Sequence, residues 1–175
     1  TGSSDENGIG LYINGNGTNL TINQGDHAND QGEHRMIIDI NGASNVINLT
    51  QYDGGSLTKH FFEGHIDGGS NTVDVTQRDN GQKTLFLDID NSNNDVDLLQ
   101  KDTGTHYLDV TLAGSQHDVD ITQQGAGNHA ARISLAGYST DFDLTQQGGT
   151  AQSYELTNSC SNALGCTINT TQGTQ

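Results

Sequence analysis

Aspartates recur at a fixed interval in this chain of 175 residues and are its most regular source of metal-ligand chemistry. The central aspartate file is Asp74, Asp97, Asp120 and Asp143, and the flanking aspartate file is Asp95, Asp118 and Asp141. On neighbouring strands of a sheet such carboxylates would lie about 4.8 Å apart and repel by about 1 kcal/mol per pair in water. The pattern predicts raised pKa values or bound cations such as calcium, with solvated and screened charges as the alternative.

Two cysteines, Cys160 and Cys166, are the only candidates for thiol chemistry in the sequence. They stand at the inward ends of two successive strands of the repeat described below, so a disulfide would close a lengthened turn. Neither a CxxC motif nor a third metal ligand accompanies them. We therefore predict a disulfide and a location outside the cytosol, with free thiols or a metal-binding pair as the alternatives.

The seven histidines show no spacing typical of a ligand set. His27 and His34 share the segment GDHANDQGEHR with the acidic residues Asp26, Asp30 and Glu33. Imidazole and carboxylate together suit a transition metal, and a solvated polar loop is the alternative. His117 stands where other repeats have an inward asparagine, and we expect it to cap a ladder of side chains.

The charge balance excludes two classes of partner. Lysine and arginine number 6 against 22 aspartates and glutamates, which gives a formal net charge of −16. Such an acidic surface repels nucleic acid and anionic lipid. The chain contains no run of 18 apolar residues and no basic segment followed by an apolar one, so we expect neither membrane insertion nor a signal peptide within it.

The elements that position these residues come from a repeat marked by one glutamine per unit. The seven glutamines are spaced by 27, 26, 23, 23, 23 and 26 residues: Gln24, Gln51, Gln77, Gln100, Gln123, Gln146 and Gln172. Apolar residues alternate with polar ones before each glutamine, which is typical of strands with one buried face. Two strands and two turns per unit predict an all-β fold, a β-solenoid of seven two-stranded coils with two parallel sheets face to face in an amyloid-like cross-β stack.

The repeat also sets the expected boundaries and ladders. We expect a short segment at 1–8, one solenoid domain at 9–172 and a tail at 173–175. Inward glutamines stacked one coil apart would hydrogen-bond to each other, and Asn45, Asn71 and Asn94 would do the same at the opposite corner. Gly64, Asn158 and Thr170 interrupt the inward apolar pattern.

The segment DVDITQQGAGNHAARISLAG (118–137) resembles the repeats of the curlin family, the amyloid subunits of bacterial curli. The match is carried by Gln123, Gly125, Gly127, Asn128 and Ala130, and the shared period and first glutamine extend over residues 9–172. Where curlin repeats have a second inward glutamine, this chain has residues such as Thr111 or Ser134, flanked by inward aliphatic residues, so it resembles a divergent, curlin-like sequence. The resemblance implies a secreted fibre subunit of a bacterial biofilm matrix, with an outer-membrane secretion or nucleation partner.

We therefore expect a structural subunit that polymerises with itself, end to end, into an extracellular fibre. Only eight residues precede Ile9 and three follow Gln172, so both ends of the stack are expected to be open. One alternative is a monomeric surface adhesin or a cation- or ice-binding solenoid. It would use the aspartates and a threonine file, Thr50, Thr76, Thr122, Thr145 and Thr171. A β-helix polysaccharide-degrading enzyme is less well supported, because no motif pairs a nucleophile with a base.

Overall fold

The computed structural model describes residues 7–25, 33–52, 59–148, 152–160 and 165–173. Fourteen strands lie in this part of the chain, and none of it forms a helix that could cross a membrane. The odd-numbered strands form one parallel sheet, called sheet A, and the even-numbered strands form a second, called sheet B. The predicted fold, a β-solenoid of seven two-stranded coils, is confirmed.

Each sheet contains one strand from every coil, in chain order. Sheet A comprises β1 (Asn7–Asn14), β3 (His34–Asn41), β5 (Lys59–Asp67), β7 (Gln82–Asp90), β9 (His106–Ser115), β11 (His129–Tyr138) and β13 (Gln152–Cys160). Sheet B comprises β2 (Asn19–Gln24), β4 (Val46–Gln51), β6 (Thr72–Gln77), β8 (Asp95–Lys101), β10 (Asp118–Gln124), β12 (Asp141–Gln147) and β14 (Thr167–Gly173). Equivalent residues pair across coils, as Gln123 does with Gln100 and Gln146.

The core lies between the two sheets and consists of the alternate residues that the period-two pattern turns inward. In coil five these are Leu108, Val110 and Leu112 from sheet A and Val119 and Ile121 from sheet B, all at most 2% exposed. A single coil could not bury such a face alone. Seven coils stacked in register form one continuous apolar cluster.

Gly64 interrupts the inward pattern because a neighbouring ring occupies its place. A Cβ on Gly64 would lie 2.8 Å from the Phe62 ring and 3.0 Å from a methyl of Leu87. Phe62 is 2% exposed and is among the largest buried side chains. The glycine therefore makes room for the phenylalanine of its own strand, and the packing density of the core is kept.

The turn from sheet A to sheet B uses the same backbone conformation in every coil. The residue just before the first inward residue of the second strand has a positive φ between 55° and 70°: Gly17, Ser44, Ser70, Asn93, Gln116, Ser139 and Gly165. The coils also approach closely at this corner, since a Cβ on Gly137 would lie 1.3 Å from the carbonyl oxygen of Gly114. Left-handed backbone lets the chain turn sharply enough to enter the second sheet.

The strands of sheet A begin earlier than the sequence pattern predicts. β1 starts at Asn7 where Ile9 was expected, and β9 starts at His106, two residues before the first apolar position. β3 and β5 likewise begin at His34 and Lys59, ahead of their first inward apolar residues, Met36 and Phe62. In β3, β5, β7, β9 and β11 these extra residues add one more inward position, and polar side chains occupy it.

Candidate functional site

The glutamine ladder is a continuous chain of side-chain hydrogen bonds along the solenoid axis. Each glutamine Nε2 donates to the Oε1 of the glutamine in the preceding coil, and all six links run in this direction, at 2.6 to 2.9 Å. The same Nε2 also donates to a main-chain carbonyl, as Gln123 does to Ala130 at 3.1 Å. From Gln51 to Gln146 the glutamines are at most 1% exposed, so both polar ends of each buried amide are satisfied.

The inward asparagines at the opposite corner make a different bond from the amide-to-amide stacking that the sequence suggests. Asn45 Oδ1 accepts from the Thr18 main-chain N–H at 2.8 Å, and Asn71 Oδ1 accepts from that of Asn45 at 2.9 Å. Asn94 Oδ1 accepts from the Asn71 N–H at 3.0 Å. Each asparagine therefore satisfies a buried backbone donor of the preceding coil, just after its left-handed residue.

The outer face of sheet B presents the two aspartate files in register. Asp97 pairs across the strands with Asp74 and Asp120, and Asp120 pairs with Asp143. A groove of about 490 Å³ runs between the central aspartate file and the threonine file, with Leu99 in place of one threonine. Asparagine replaces aspartate in the last coil, where Asn169 Nδ2 donates to Asp143 Oδ1 at 2.6 Å.

Two carboxyls of the central aspartate file hold protons more tightly than usual. Partial burial, followed by the nearby Asp74 carboxylate, raises the pKa of Asp97. Partial burial, followed by the Asp97 carboxylate, raises the pKa of Asp120. The repulsion between carboxylates that the sequence predicts therefore contributes to the raised pKa values of these two residues in the middle of the file.

The described residues form no cluster of side chains suited to binding a metal ion. No group of three or more histidine, cysteine, aspartate or glutamate side chains within them is arranged to hold a metal ion, and both aspartate files belong to this part of the chain. Of the proposed ligands near residue 30, Asp26, His27 and Asp30 lie outside the described residues. His34 does not belong to a loop, as both the metal-site and the solvated-loop interpretations assume, because it is an inward residue of β3. Glu33 forms an ion pair with Lys59 at 2.8 Å.

Cys160 and Cys166 form a disulfide, with their Cα atoms 6.1 Å apart. Cys160 ends β13 in sheet A, and Cys166 immediately precedes β14 in sheet B. The bond therefore ties the two sheets together in the last coil, which lies at the end of the stack.

The two end coils carry partly exposed apolar side chains that pack against the core. These residues are Ile9, Leu11, Ile13, Leu20 and Ile22 in coil one, and Leu156 and Ile168 in coil seven. Within the described residues, β1, β2, β13 and β14 each pair with a strand on one side only. Each edge strand therefore presents a row of backbone donors and acceptors on its other side.

A column of basic side chains, which sequence reasoning missed, fills the extra inward position of sheet A. This basic column comprises His34, His60, Lys83, His106 and His129, all at most 1% exposed. The five residues are in register on consecutive strands, and Gln152 continues the column on β13. The signal was present, because Lys83, His106, His129 and Gln152 each follow a ladder glutamine by six positions.

The corner carbonyls stabilise the middle of the basic column. Lys83 Nζ donates to the main-chain oxygens of Asp79 at 2.6 Å and Gly81 at 3.1 Å. His106 Nε2 lies 3.0 Å from the Asp102 carbonyl, and since a carbonyl only accepts, this nitrogen carries the proton. Burial, followed by the Lys83 ammonium and then His129, lowers the pKa of His106 from 6.5 to about 3. Burial also lowers the pKa of His129.

His117 is the one imidazole of the opposite corner among the described residues, in register with Thr140 and Asn94. It is 2% exposed, and burial lowers its pKa. His65, in contrast, lies on the outer face of sheet A. There its ring stands between Asp39, at 3.6 Å, and Asp90, at 3.9 Å.

Comparison with known proteins adds no relative from which a role could be transferred. Neither a protein-family model, nor a curated protein, nor a solved structure matches this chain.

Proposed function

We propose that this chain is the subunit of an extracellular fibre that grows by stacking solenoids end to end. The observation that carries the proposal is the near absence of charge on the edge strands. The chain has a net charge of −16, yet β1, β2 and β14 contain no charged residue and β13 contains only Glu155. Monomeric β proteins protect edge strands with lysine, proline or bulges. The edges of this solenoid are suited to pairing with another copy.

The two edges complement each other in backbone direction and side-chain pattern. All strands are parallel, and coil one carries the same inward apolar alternation as the central coils. Coil seven keeps Leu156 and Ile168 against the core, with Asn158 and Thr170 at the interrupted positions. Because the edges belong to different coils, the contact is heterologous and does not close by two-fold symmetry. Repetition gives a filament with strands perpendicular to its axis and a rise of roughly 34 Å per subunit, from seven coils at about 4.8 Å each.

The extracellular and biofilm parts of the proposal have two supports. The Cys160–Cys166 disulfide is of a kind that persists in oxidising compartments. The resemblance of residues 9–172 to curlin repeats supports a secreted matrix fibre, with an outer-membrane secretion or nucleation partner.

The test uses Tyr12, because its main-chain N–H faces the edge. Gly15 donates its N–H to Asn41 in β3, and N–H groups alternate sides along a strand, so the N–H of Tyr12 points away from β3. The Tyr12 side chain is 60% exposed. Tyr12→Pro therefore removes an outward donor, and Tyr12→Ala removes the same side chain while keeping the donor.

We expect filaments in negative-stain images of the wild-type chain and of Tyr12→Ala, and folded but short or unpolymerised species from Tyr12→Pro. Ile168→Pro tests the other end, since Thr167 donates inward to Thr140 and the N–H of Ile168 faces outward. Normal filaments from both proline variants would show that growth does not use the end coils. A wild-type chain that stays monomeric in sedimentation would refute the fibre.

The second candidate is a monomeric solenoid that binds a surface or a cation through the outer face of sheet B. The groove of about 490 Å³ between the central aspartate file and the threonine file favours it. Under this alternative the edge variants would have no effect. Asp97→Asn would instead weaken retention of the chain on a calcium-loaded or cationic surface.

A further inference from the structure

We propose that the buried pair His106 and His129 destabilises the folded solenoid in mild acid, so that the coils unfold more readily as the pH falls. This inference concerns single chains and does not depend on whether they polymerise. It rests first on geometry. The two imidazoles lie on adjacent strands at the same inward position, with ring centroids 4.8 Å apart and side chains at most 1% exposed.

The surroundings of the pair favour the neutral form of the imidazoles and disfavour the protonated form. Within the described residues, His106 Nδ1 and both ring nitrogens of His129 are buried without a hydrogen-bond partner. A protonated imidazole is a donor at both nitrogens, so protonation would add a buried donor that nothing accepts. It would also place a positive charge 4.8 Å from the neighbouring ring.

The charged groups around the pair strengthen this preference. On the side of β7 stands the ammonium of Lys83, which disfavours a second positive charge. On the side of β13 the column continues with Gln152. On the side of sheet B, the ladder glutamines Gln100 and Gln123 donate to the carbonyls of Tyr107 and Ala130, the residues that follow His106 and His129. All three of these glutamines are neutral amides. Asp102, in the preceding turn, favours protonation of His106, first through its main-chain carbonyl, which accepts from the ring, and then through its carboxylate. Both effects are smaller than those of burial, Lys83 and His129.

The direction of the pH dependence follows from these shifts. The pKa of His106 falls from 6.5 to about 3 in the folded state, and that of His129 is also lowered, so the unfolded chain binds more protons. Their contribution to stability is complete above pH 6.5 and is lost as the pH falls from 6.5 toward 3. Between pH 7 and pH 5, which is 1.5 units below the ordinary value, a fully shifted imidazole raises the unfolding constant by about 25-fold.

The aspartates act in the opposite direction. The pKa values of Asp97 and Asp120 are raised above the ordinary 3.8, so their protonation favours the folded state as the pH falls through those raised values. The double histidine variant described below separates the two effects, because it keeps both aspartates.

The experiment compares urea unfolding of dilute chains at pH 7 and pH 5, followed by far-ultraviolet circular dichroism, with sedimentation run in parallel to establish that the chains are dispersed. The test variant is the double substitution His106→Gln and His129→Gln, because Gln152 already occupies this column. The control is His65→Gln, which removes an exposed imidazole between Asp39 and Asp90.

We expect the unfolding constant of the wild-type chain and of His65→Gln to rise by at least about 25-fold between pH 7 and pH 5. The double variant should lose at least a factor of about 25 from that rise. An equal rise in the double variant would overturn the proposal. If the double variant does not fold, imidazole NMR signals of the wild-type chain decide: titration of His106 and His129 near pH 6.5 with unchanged circular dichroism would also overturn it.

Discussion

Replacing one glutamine in the middle of the ladder should cost far more than replacing one at its end. Gln123 donates to Gln100 Oε1 at 2.9 Å and to the Ala130 carbonyl at 3.1 Å, and its own Oε1 accepts from Gln146 at 2.8 Å. Gln123→Leu has similar volume and removes all three bonds. Two buried amide ends, on Gln100 and Gln146, then lose a partner at about 1–3 kcal/mol each. Leucine burial offsets about 1 kcal/mol, so we expect a net loss of about 3 kcal/mol.

The assay is urea unfolding at pH 7 followed by circular dichroism, with Gln172→Leu as the matched control. Gln172 is exposed and makes one ladder bond, to Gln146 at 2.6 Å. Its loss should cost less than about 1 kcal/mol, because water replaces the missing partner. If Gln123→Leu stays within about 0.5 kcal/mol of the wild-type chain, or if both variants lose equally, the ladder does not stabilise the fold through satisfied amides.

Two further predictions test the inward register and the outer face. Ile121→Asp should abolish most of the β-sheet circular dichroism because it buries an unpaired charge, whereas Thr122→Asp should change stability by about 1 kcal/mol or less; equal effects would show that the inward register is wrong. Asp97→Asn should raise stability at pH 7 by about 0.5–1 kcal/mol and progressively less in acid. The raised pKa of Asp97 means that its charged form opposes folding, and solvent screens most of the repulsion. A loss of stability in thermal melts at pH 7 would contradict this reasoning.

The sequence predicted those parts of the fold that follow from periodicity alone. An alternation of period two, anchored on glutamines 23 to 27 residues apart, determines which side chains face inward and which strand follows which. Ile121 and Leu144, for example, stand two residues before ladder glutamines, so the alternation predicts that they face inward, and both are at most 2% exposed. In-register stacking follows, because a shift by one residue would turn every apolar side chain outward.

Features that depend on atomic packing were not readable from the pattern. Apolar periodicity could not indicate that His106 begins a strand, because a buried imidazole reads as polar until its neighbours are known. The asparagine bonds depend on a preceding residue in the left-handed conformation, such as Ser70 with a φ of 61°. A serine in the sequence does not by itself indicate a positive φ. In the sequence, Gly64 interrupts the inward apolar pattern. The pattern alone does not show that the ring of Phe62, two residues earlier on the same face, fills the space beside the glycine.

The uniform direction of the glutamine ladder gives the solenoid an electrical polarity. In all six links the Nε2 points toward the preceding coil, so the side-chain amide dipoles add along the axis as peptide dipoles do in a helix. Each bond polarises the next in such a chain. A copy stacked in the reverse sense would bring like ends of two dipole chains together. A filament built with one orientation lengthens a single dipole chain with every subunit it gains.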